Sequence, residues 1–553
     1  MKVLLTTVLA AAALSSCSIV KPTADTFELL ILHNNDMHAR FEQTSQLSGA
    51  CTTEDREAGK CYGGFPRVAY VVKEARRAAQ TGEGPPVLYL NAGDTYTGTA
   101  WFTIYKWKIA AEFVNALQPD AVSLGNHAFD YGVSGLTPFI KNLTCPVLAA
   151  NLDLKNEPEL EKQDNLFKSV VFDIYGTKIG VIGYLTPETK VSSMANNVDY
   201  IEEVSAIKKE VVKLKQQDVK ILIALGHSGI LKDMEIAKLV KDIDVVIGGH
   251  THTFLWNGTS PEVEESVGPY PIMVEQESGR LVPTVQAYAY TKYLGKLHLV
   301  FDPEGEVISA NGNPILLDNS VPQDSDVLKI VKRYHKKVKR FTENVIGKTL
   351  VHLDGDSCRL KECNMGNFIA DAVVERYVEN AGNCECAAVI NGGGIRSSIE
   401  NNNLPRNITQ GDLIRVIPFD GQLTKMSLNG SDVKKMLEYS VSNYNPFNAG
   451  GEFLQVSRMK VIYNLQQPPG QRVEKVSIRC GDCSLSGYSI ISDIQLYDII
   501  IPTFLTKGGD GFSILANLPP TSLNFNMLES MATCLAYHSP IKINIEGRIV
   551  IKN

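Results

Sequence analysis

The sequence predicts an α/β chain in which a mostly parallel sheet covered on both faces by helices precedes a linker helix and a separate α+β domain. Three observations carry this reading. From Phe27 to about residue 300, short apolar runs alternate with amphipathic stretches. A basic, helix-like stretch then runs from Val327 to Phe341. After residue 342, Gly and Asn clusters multiply and short alternating runs mix with helical ones. A chain of 553 residues exceeds what one hydrophobic core can organise. The boundaries read as a leader over 1–24, a first domain over 25–320, a linker helix over 321–341 and a second domain over 342–553.

The expected strands are Phe27–Leu32, Val87–Leu90, Ala121–Leu124, Ile179–Ile182, Ile221–Leu225 and Val245–Ile247. Each is almost continuously apolar, as strands buried on both faces are. Val68–Ala79 and Ala206–Gln216 carry the 3.6-residue spacing of covering helices. Pro322 and Asp324 stand where the linker helix should begin. In the second domain, Met459–Tyr463 and Ile541–Ile545 alternate like strands, and Asn367–Asn380 and Gly430–Ser440 are spaced like helices.

The N-terminus has the build of an export signal. Lys2 precedes an apolar stretch, Val3–Leu14, too short to span a bilayer, and Ser15-Ser16-Cys17-Ser18 supplies small residues for cleavage. Leu14-Ser15-Ser16-Cys17 also resembles a bacterial lipoprotein box, which would leave Cys17 lipidated. Four glycosylation triplets, at Asn142, Asn257, Asn407 and Asn429, favour the eukaryotic secretory route. Cysteine usage agrees: Cys51 with Cys61, Cys358 with Cys363, and Cys480 with Cys483 are close pairs suited to small-loop disulfides. Cys145, Cys384, Cys386 and Cys534 have no assignable partner. No later segment reaches the roughly 18 apolar residues of a membrane helix, and the C-terminus lacks a lipid-anchor signal. The expectation is a secreted protein without a membrane anchor. A net charge of -7 argues against nucleic acid as a partner.

Five of the ten histidines fall in four short motifs, each just after an apolar run. These are Asn35-Asp36-Met37-His38, Gly125-Asn126-His127, Gly226-His227-Ser228-Gly229 and Gly248-Gly249-His250-Thr251-His252. Asn91-Ala92-Gly93-Asp94 is built alike and adds a carboxylate. Ligands bind beyond the carboxyl ends of strands in such sheets, so the motifs can converge. Asp36 and His38 lie two apart and can face one cation. Asp94 can bridge two cations, and Asn126, His227, His250 and His252 complete a set for two sites. Mixed nitrogen and oxygen donors suit zinc first, with manganese or another divalent cation as alternatives. Two such cations generate hydroxide at neutral pH and neutralise phosphoryl oxygens during in-line displacement. His127 is left over as a group that can bond a phosphoryl oxygen or protonate the leaving group, with Asp130 placed to orient it.

The order of these motifs resembles the calcineurin-like metallophosphoesterases, and within them the 5′-nucleotidase/apyrase family. The resemblance runs from Leu29 to about Val550 and is closest to animal ecto-5′-nucleotidases and secreted arthropod salivary apyrases. It implies a metallophosphoesterase sheet sandwich covered by helices, with a C-terminal α+β nucleotide-binding domain. It implies that Asp36, His38, Asp94 and His252 hold one metal, that Asp94, Asn126, His227 and His250 hold the other, and that His127 with Asp130 forms the catalytic dyad. Ala128 stands where the family usually has Glu, and Asn34 where Thr is common. Ala370 and Ala388 occupy positions of a further disulfide in ecto-5′-nucleotidases.

In the second domain, Cys358-Arg359, Asn364–Asn367, Asn391–Arg396, Pro418-Phe419 and Gly508–Phe512 look like the family's nucleotide-binding segments. Phe419 and Phe512 can sandwich a planar base. Arg359 and Arg396 present planar forks suited to phosphate. Asn391 can bond base or ribose, and Arg40, just past the first motif, is a further phosphate contact. The missing anchor favours an apyrase that hydrolyses extracellular ATP and ADP to AMP and so removes the platelet agonist ADP. The alternatives are a 5′-nucleotidase that converts AMP to adenosine and a non-catalytic nucleotide- or receptor-binding protein. The family implies a monomer or homodimer, with the second domain rotating to close on the first.

Overall fold

The structure is a computed structural model that describes residues 26–194, 196–381, 386–400, 405–419, 421–446, 449–479, 487–516 and 518–552. The leader and Cys384 lie outside these residues.

The strands of the first domain divide between two sheets. One is eight-stranded, and its parallel centre runs Phe27–Asn34, Val87–Asn91, Ala121–Ser123, Val147–Leu148, Leu166–Phe167. The other is six-stranded, with Leu281–Val285, Val245–Ile247, Ile221–His227 and Thr177–Leu185 as its parallel centre. This corrects the single helix-covered sheet that alternation alone suggests. Leu29, Ile31, Leu88 and Leu90 of one sheet pack on Val181, Ile221, Ile223, Val245 and Ile247 of the other. Helices cover only the two outer faces. Val68, Val72 and Phe113 lie over Leu30 and Leu32 on one side, and Val204, Ile207, Val211 and Ile236 lie over Leu222 and Ala224 on the other. A strand with apolar contacts on both faces reads the same whether a helix or a second sheet supplies them. The sandwich that the family resemblance implies is the architecture found.

Register decides where the motifs emerge. Asn34 is paired with Asn91, and Asn91 with Val122, so three strands end at one level. In the facing sheet, His227 pairs with Leu185 and Leu225 with Ile247. All five motifs therefore open at the same end of the sandwich. Beneath the first loop, Phe41 stacks on Phe113 at 4.5 Å and meets Phe65 edge-on at 5.0 Å.

The linker helix is Ser325–Thr342, capped by Asp324, whose carboxylate accepts from the Asp326 and Val327 amides. Its buried Val327, Val331 and Val338 share a core with the first domain and with Ile414 of the second. His335 reaches Glu42 at 2.9 Å and Arg333 reaches Glu112 at 2.7 Å, so polar contacts also tie it to the first domain.

The second domain holds a five-stranded and a four-stranded sheet. Met459–Asn464 is a strand as expected, and Asn364–Ala381 and Gly430–Ser440 are helices. Ile541–Ile545 is not a strand. Ile541 makes a lone bridge to Thr349, and the closing strand is Ile549–Lys552.

Two of the three expected disulfides are present, Cys51–Cys61 and Cys358–Cys363. The third, between Cys480 and Cys483, is not among the described bridges, because Cys480 and Cys483 both lie outside the described residues. Cys145, Cys386 and Cys534 are buried. Ala370 and Ala388 are fully buried in one core, which their methyl groups help to fill. Asn142, Asn257 and Asn407 are exposed, while Asn429 is half-buried and caps Gly430–Ser440 by accepting from the Asp432 amide. Among the described residues no helix is long and apolar enough to cross a membrane.

Phe113 is fully buried and touches Phe41, Phe65 and Trp101. Phe113→Ala should lower stability by about 3–5 kcal/mol, seen as an earlier transition in urea unfolding of the intact protein. Because Phe41 lies just beyond His38 and Arg40, metal affinity should fall with it.

Candidate active site

Each motif turns sharply after its strand. Asp36, His38, Asp94, His250 and His252 all have positive φ, at 51°, 44°, 53°, 80° and 52°. Such backbone is uncommon for non-glycine residues and concentrates at functional sites, where the surroundings hold the strain. Two glycines make the convergence feasible. A Cβ on Gly125 would collide with Asp94 Oδ1, and one on Gly248 would collide with Asp233 Oδ2.

The seven ligand candidates come together. Asp36 Oδ1 lies 3.2 Å from His252 Nε2, 3.5 Å from His227 Nε2 and 3.7 Å from His38 Nε2. Asp94 Oδ2 lies 2.9 Å from His227 Nε2 and 4.0 Å from His38 Nε2, so both carboxylates stand between these two imidazoles. Asn126 Oδ1 sits 3.0 Å from His250 Nδ1, and the His250 ring is 5.2 Å from that of His227.

Backbone carbonyls fix the tautomers. His38 Nδ1 donates to the Thr97 carbonyl at 3.0 Å and His227 Nδ1 to the Ala92 carbonyl at 2.7 Å. Each Nε2 lone pair is thereby aimed inward, as in metal-binding histidines. Asp36 Oδ1 and His227 Nε2 are buried without a hydrogen-bond partner, an arrangement that a shared cation satisfies. Burial would raise the Asp36 and Asp94 carboxyls, but His227, with His252 for Asp36 and His127 for Asp94, holds both well below the usual range. Burial opposes a proton on His227, yet Asp94 and Asp36 push it up to about 9. Burial lowers His252 to about 4. Two adjacent buried carboxylates thus need positive charge between them. The donor set, two carboxylates, one amide oxygen and four imidazoles, fits a pair of divalent cations.

His127 stands apart from the ligands. Its Nδ1 donates to Asp130 Oδ2 at 3.0 Å, its backbone amide donates to Asp94 Oδ1 at 3.0 Å, and its Nε2 faces Asp94 Oδ2 at 4.0 Å. Ala128 beside it is packed into the apolar core.

The second domain reaches this site directly. Arg396 Nη2 donates to His38 Nε2 at 3.1 Å, and the Phe419 ring lies 5.5 Å from the His127 ring at an interplanar angle of 26°. Asn391 Nδ2 donates to Asp510 Oδ2 at 2.7 Å. Burial lowers Arg359 to about 10 and Arg396 adds to that effect, so the two forks share one anion-attracting region. Phe512 is fully buried and packs edge-on against Tyr439 at 4.8 Å. Arg40 is buried behind the first motif: Nη1 donates to the His38 and Gly98 carbonyls, and the guanidinium lies 4.3 Å from the Tyr290 ring centroid.

Sequence reading misses three groups. Tyr290 touches both His38 and His252 with its ring, at 5.8 and 5.1 Å, and the alternating aromatics Tyr288 and Tyr290 after strand Leu281–Val285 are the available signal. Glu188 faces His250 at 3.8 Å. Gln286 braces the last motif: Nε2 donates to Asp233 and the Gly249 carbonyl, and Oε1 accepts from the Thr253 amide. Nothing in the local sequence marks Asp233 or Gln286, because their role exists only once helix and strand pack.

The fold and this site define a calcineurin-like metallophosphoesterase. Residues 29–254 match the calcineurin-like phosphoesterase family, and residues 345–517 match the 5′-nucleotidase C-terminal domain. The chain is 43% identical over 535 residues to Protein 5NUC of Lutzomyia longipalpis, covering 95% of this chain and 93% of that protein. It is 42% identical to the 5′-nucleotidase of Bos taurus, over 89% of this chain and 85% of the relative. A 5′-nucleotidase precursor from Thermus thermophilus superposes with a TM-score of 0.86 at 31% identity, covering 95% of this chain and 100% of that one. The chain belongs to the 5′-nucleotidase family of metal-dependent phosphohydrolases.

Replacing Gln286 by Ala should free the 250–252 loop while leaving both sheets intact. Metal affinity should drop about 10–100-fold, the usual effect of losing support around a metal site, as measured by metal titration with circular dichroism unchanged.

Proposed function

We propose that this protein is a secreted 5′-nucleotidase that converts AMP to adenosine and phosphate. Several relatives that match about nine-tenths of this chain bear that name, among them the venom 5′-nucleotidase of Crotalus adamanteus at 40% identity over 90% of this chain. This shifts the preference away from the apyrase that the sequence alone favours. The observation that carries the reading is the contact of Arg396 with His38. The phosphate-binding fork of the second domain abuts a metal ligand, which suits a substrate with a single phosphate between the two.

Asp36, His38, Asp94, Asn126, His227, His250 and His252 would hold two divalent cations, which when bound would supply an acidified water and charge neutralisation for in-line phosphoryl transfer. Zinc fits this donor set best. Arg396 and Arg359 hold the phosphate from the opposite side and offset charge that grows in the transition state. His127, oriented by Asp130, bonds a phosphoryl oxygen or delivers a proton to the departing ribose oxygen. Phe419 offers its ring to the base. The turn Thr189–Ser192 of the first domain packs on Gly509–Gly511 beside Phe512. Entry of a base between Phe419 and Phe512 therefore requires the second domain to move. Arg40 braces the first motif through the His38 carbonyl, and its buried Nε and Nη2, which have no hydrogen-bond partner, are available to an anion.

Incubation with AMP, ADP and ATP separately should release phosphate from AMP. Release from ADP and ATP with none from AMP would return the assignment to an apyrase. His127→Ala should lower kcat about 10²–10⁴-fold, the usual contribution of a general acid or base, with metal content unchanged by elemental analysis.

A further inference from the structure

A second set of metal-binding side chains lies in the second domain. Glu375 is carried by the helix Asn364–Ala381, and Cys534 and His538 by the helix Met527–His538. These helices pack against each other. Cys534 and His538 are four residues apart, so they project from one helical face on successive turns. The Cys534 thiol, one His538 ring nitrogen and one Glu375 carboxylate oxygen all lie within 4.8 Å of one another. His538 Nε2 already contacts Glu375 Oε1.

Thiolate, imidazole and carboxylate together form a donor set selective for zinc-like cations. The set is graded in exposure. Cys534 is buried in the second-domain core, Glu375 is half-buried and His538 is exposed. Three protein ligands with one side open to solvent leave room for a fourth, as a tetrahedral ion requires. Burial pushes the Cys534 thiol up to about 12, and Glu375, Asp371 and Glu379 add to that effect with negative charge that a cation would offset. Arg548 partly offsets Asp371, and Arg376 partly offsets Glu379, through ion pairs of 2.6 and 3.2 Å.

We propose that Glu375, Cys534 and His538 form a third metal site, zinc-binding and structural, that clamps these two helices independently of the hydrolytic centre. The helix Met527–His538 also packs on strand Val345–Thr349 and on helix Gln410–Val416. The clamp would therefore hold together the core of the second domain. Binding displaces the thiol proton to solvent, and affinity should rise with pH.

Cobalt distinguishes this site from the other two. The hydrolytic centre offers only nitrogen and oxygen donors, so a thiolate-to-cobalt charge-transfer band reports on a cysteine ligand. The intact protein loaded with cobalt should show that band and bind one metal equivalent beyond the hydrolytic pair. Cys534→Ala should lose the band and that equivalent while AMP hydrolysis at saturating zinc is unchanged. His538→Ala, which alters an exposed side chain, should weaken the band's titration at least about tenfold, and it serves if the cysteine variant does not fold. Absence of the band in the unmodified protein, or its persistence in Cys534→Ala, would overturn the proposal in favour of a simple Glu375–His538 ion pair.

Discussion

The whole molecule is arranged around two carboxylates, Asp36 and Asp94, buried side by side at the end of a sheet sandwich. Like charges in a medium of low polarizability repel strongly and lose their hydration, so neither is tolerable without positive charge close by. The protein meets this need with a ring of imidazoles whose outer nitrogens are tied to backbone carbonyls at Thr97 and Ala92. Their inner nitrogens must accept a proton or a cation. The same requirement explains the strained backbone at Asp36, His38, Asp94, His250 and His252: no relaxed turn would bring five such residues to one point.

That arrangement is feasible only because the two sheets are rigid and in register. Strands ending at Asn34, Asn91 and Ser123 deliver one group of ligands, and strands ending at His227 and Ile247 deliver the other. The interlayer core of Leu, Ile and Val fixes the gap between the groups. A site built on strand ends is held by many buried contacts at once. A loop-built site would lack that support, and two buried carboxylates would push such a loop open.

The convergence of these residues was legible in the sequence for the same reason. A strand buried on both faces reads as an apolar run, and whatever polar residue follows it must lie at the sheet's edge. Asp94 or His227 could therefore be placed from its position alone. The division into two sheets was not legible, because Leu29 and Ile31 would be apolar under a helix as well as under a sheet. Arg40 was placed by its proximity to Asp36 and His38 in the chain; its Nη1 bonds the His38 and Gly98 carbonyls and its guanidinium lies against Tyr290, while Nε and Nη2 are buried without a hydrogen-bond partner. Gln286 and Asp233 left no trace at all, since one buried amide and one buried carboxyl have no periodic signature.

The second domain follows a different logic. Its contributions to the site, Arg396, Phe419 and Asn391, sit on turns and element ends rather than in register along one sheet edge. They meet the first domain's site through a few contacts, chiefly Arg396 with His38 and Phe419 with His127. These are polar or aromatic contacts that a nucleotide can replace with equivalents of its own, phosphate for the guanidinium and base for the ring. The interlayer core of the first domain has no such substitute. The linker helix packs on the first domain through Val327 and Val331 and is ion-paired to Glu42 and Glu112, and it also meets the second domain at Ile414 on helix Gln410–Val416.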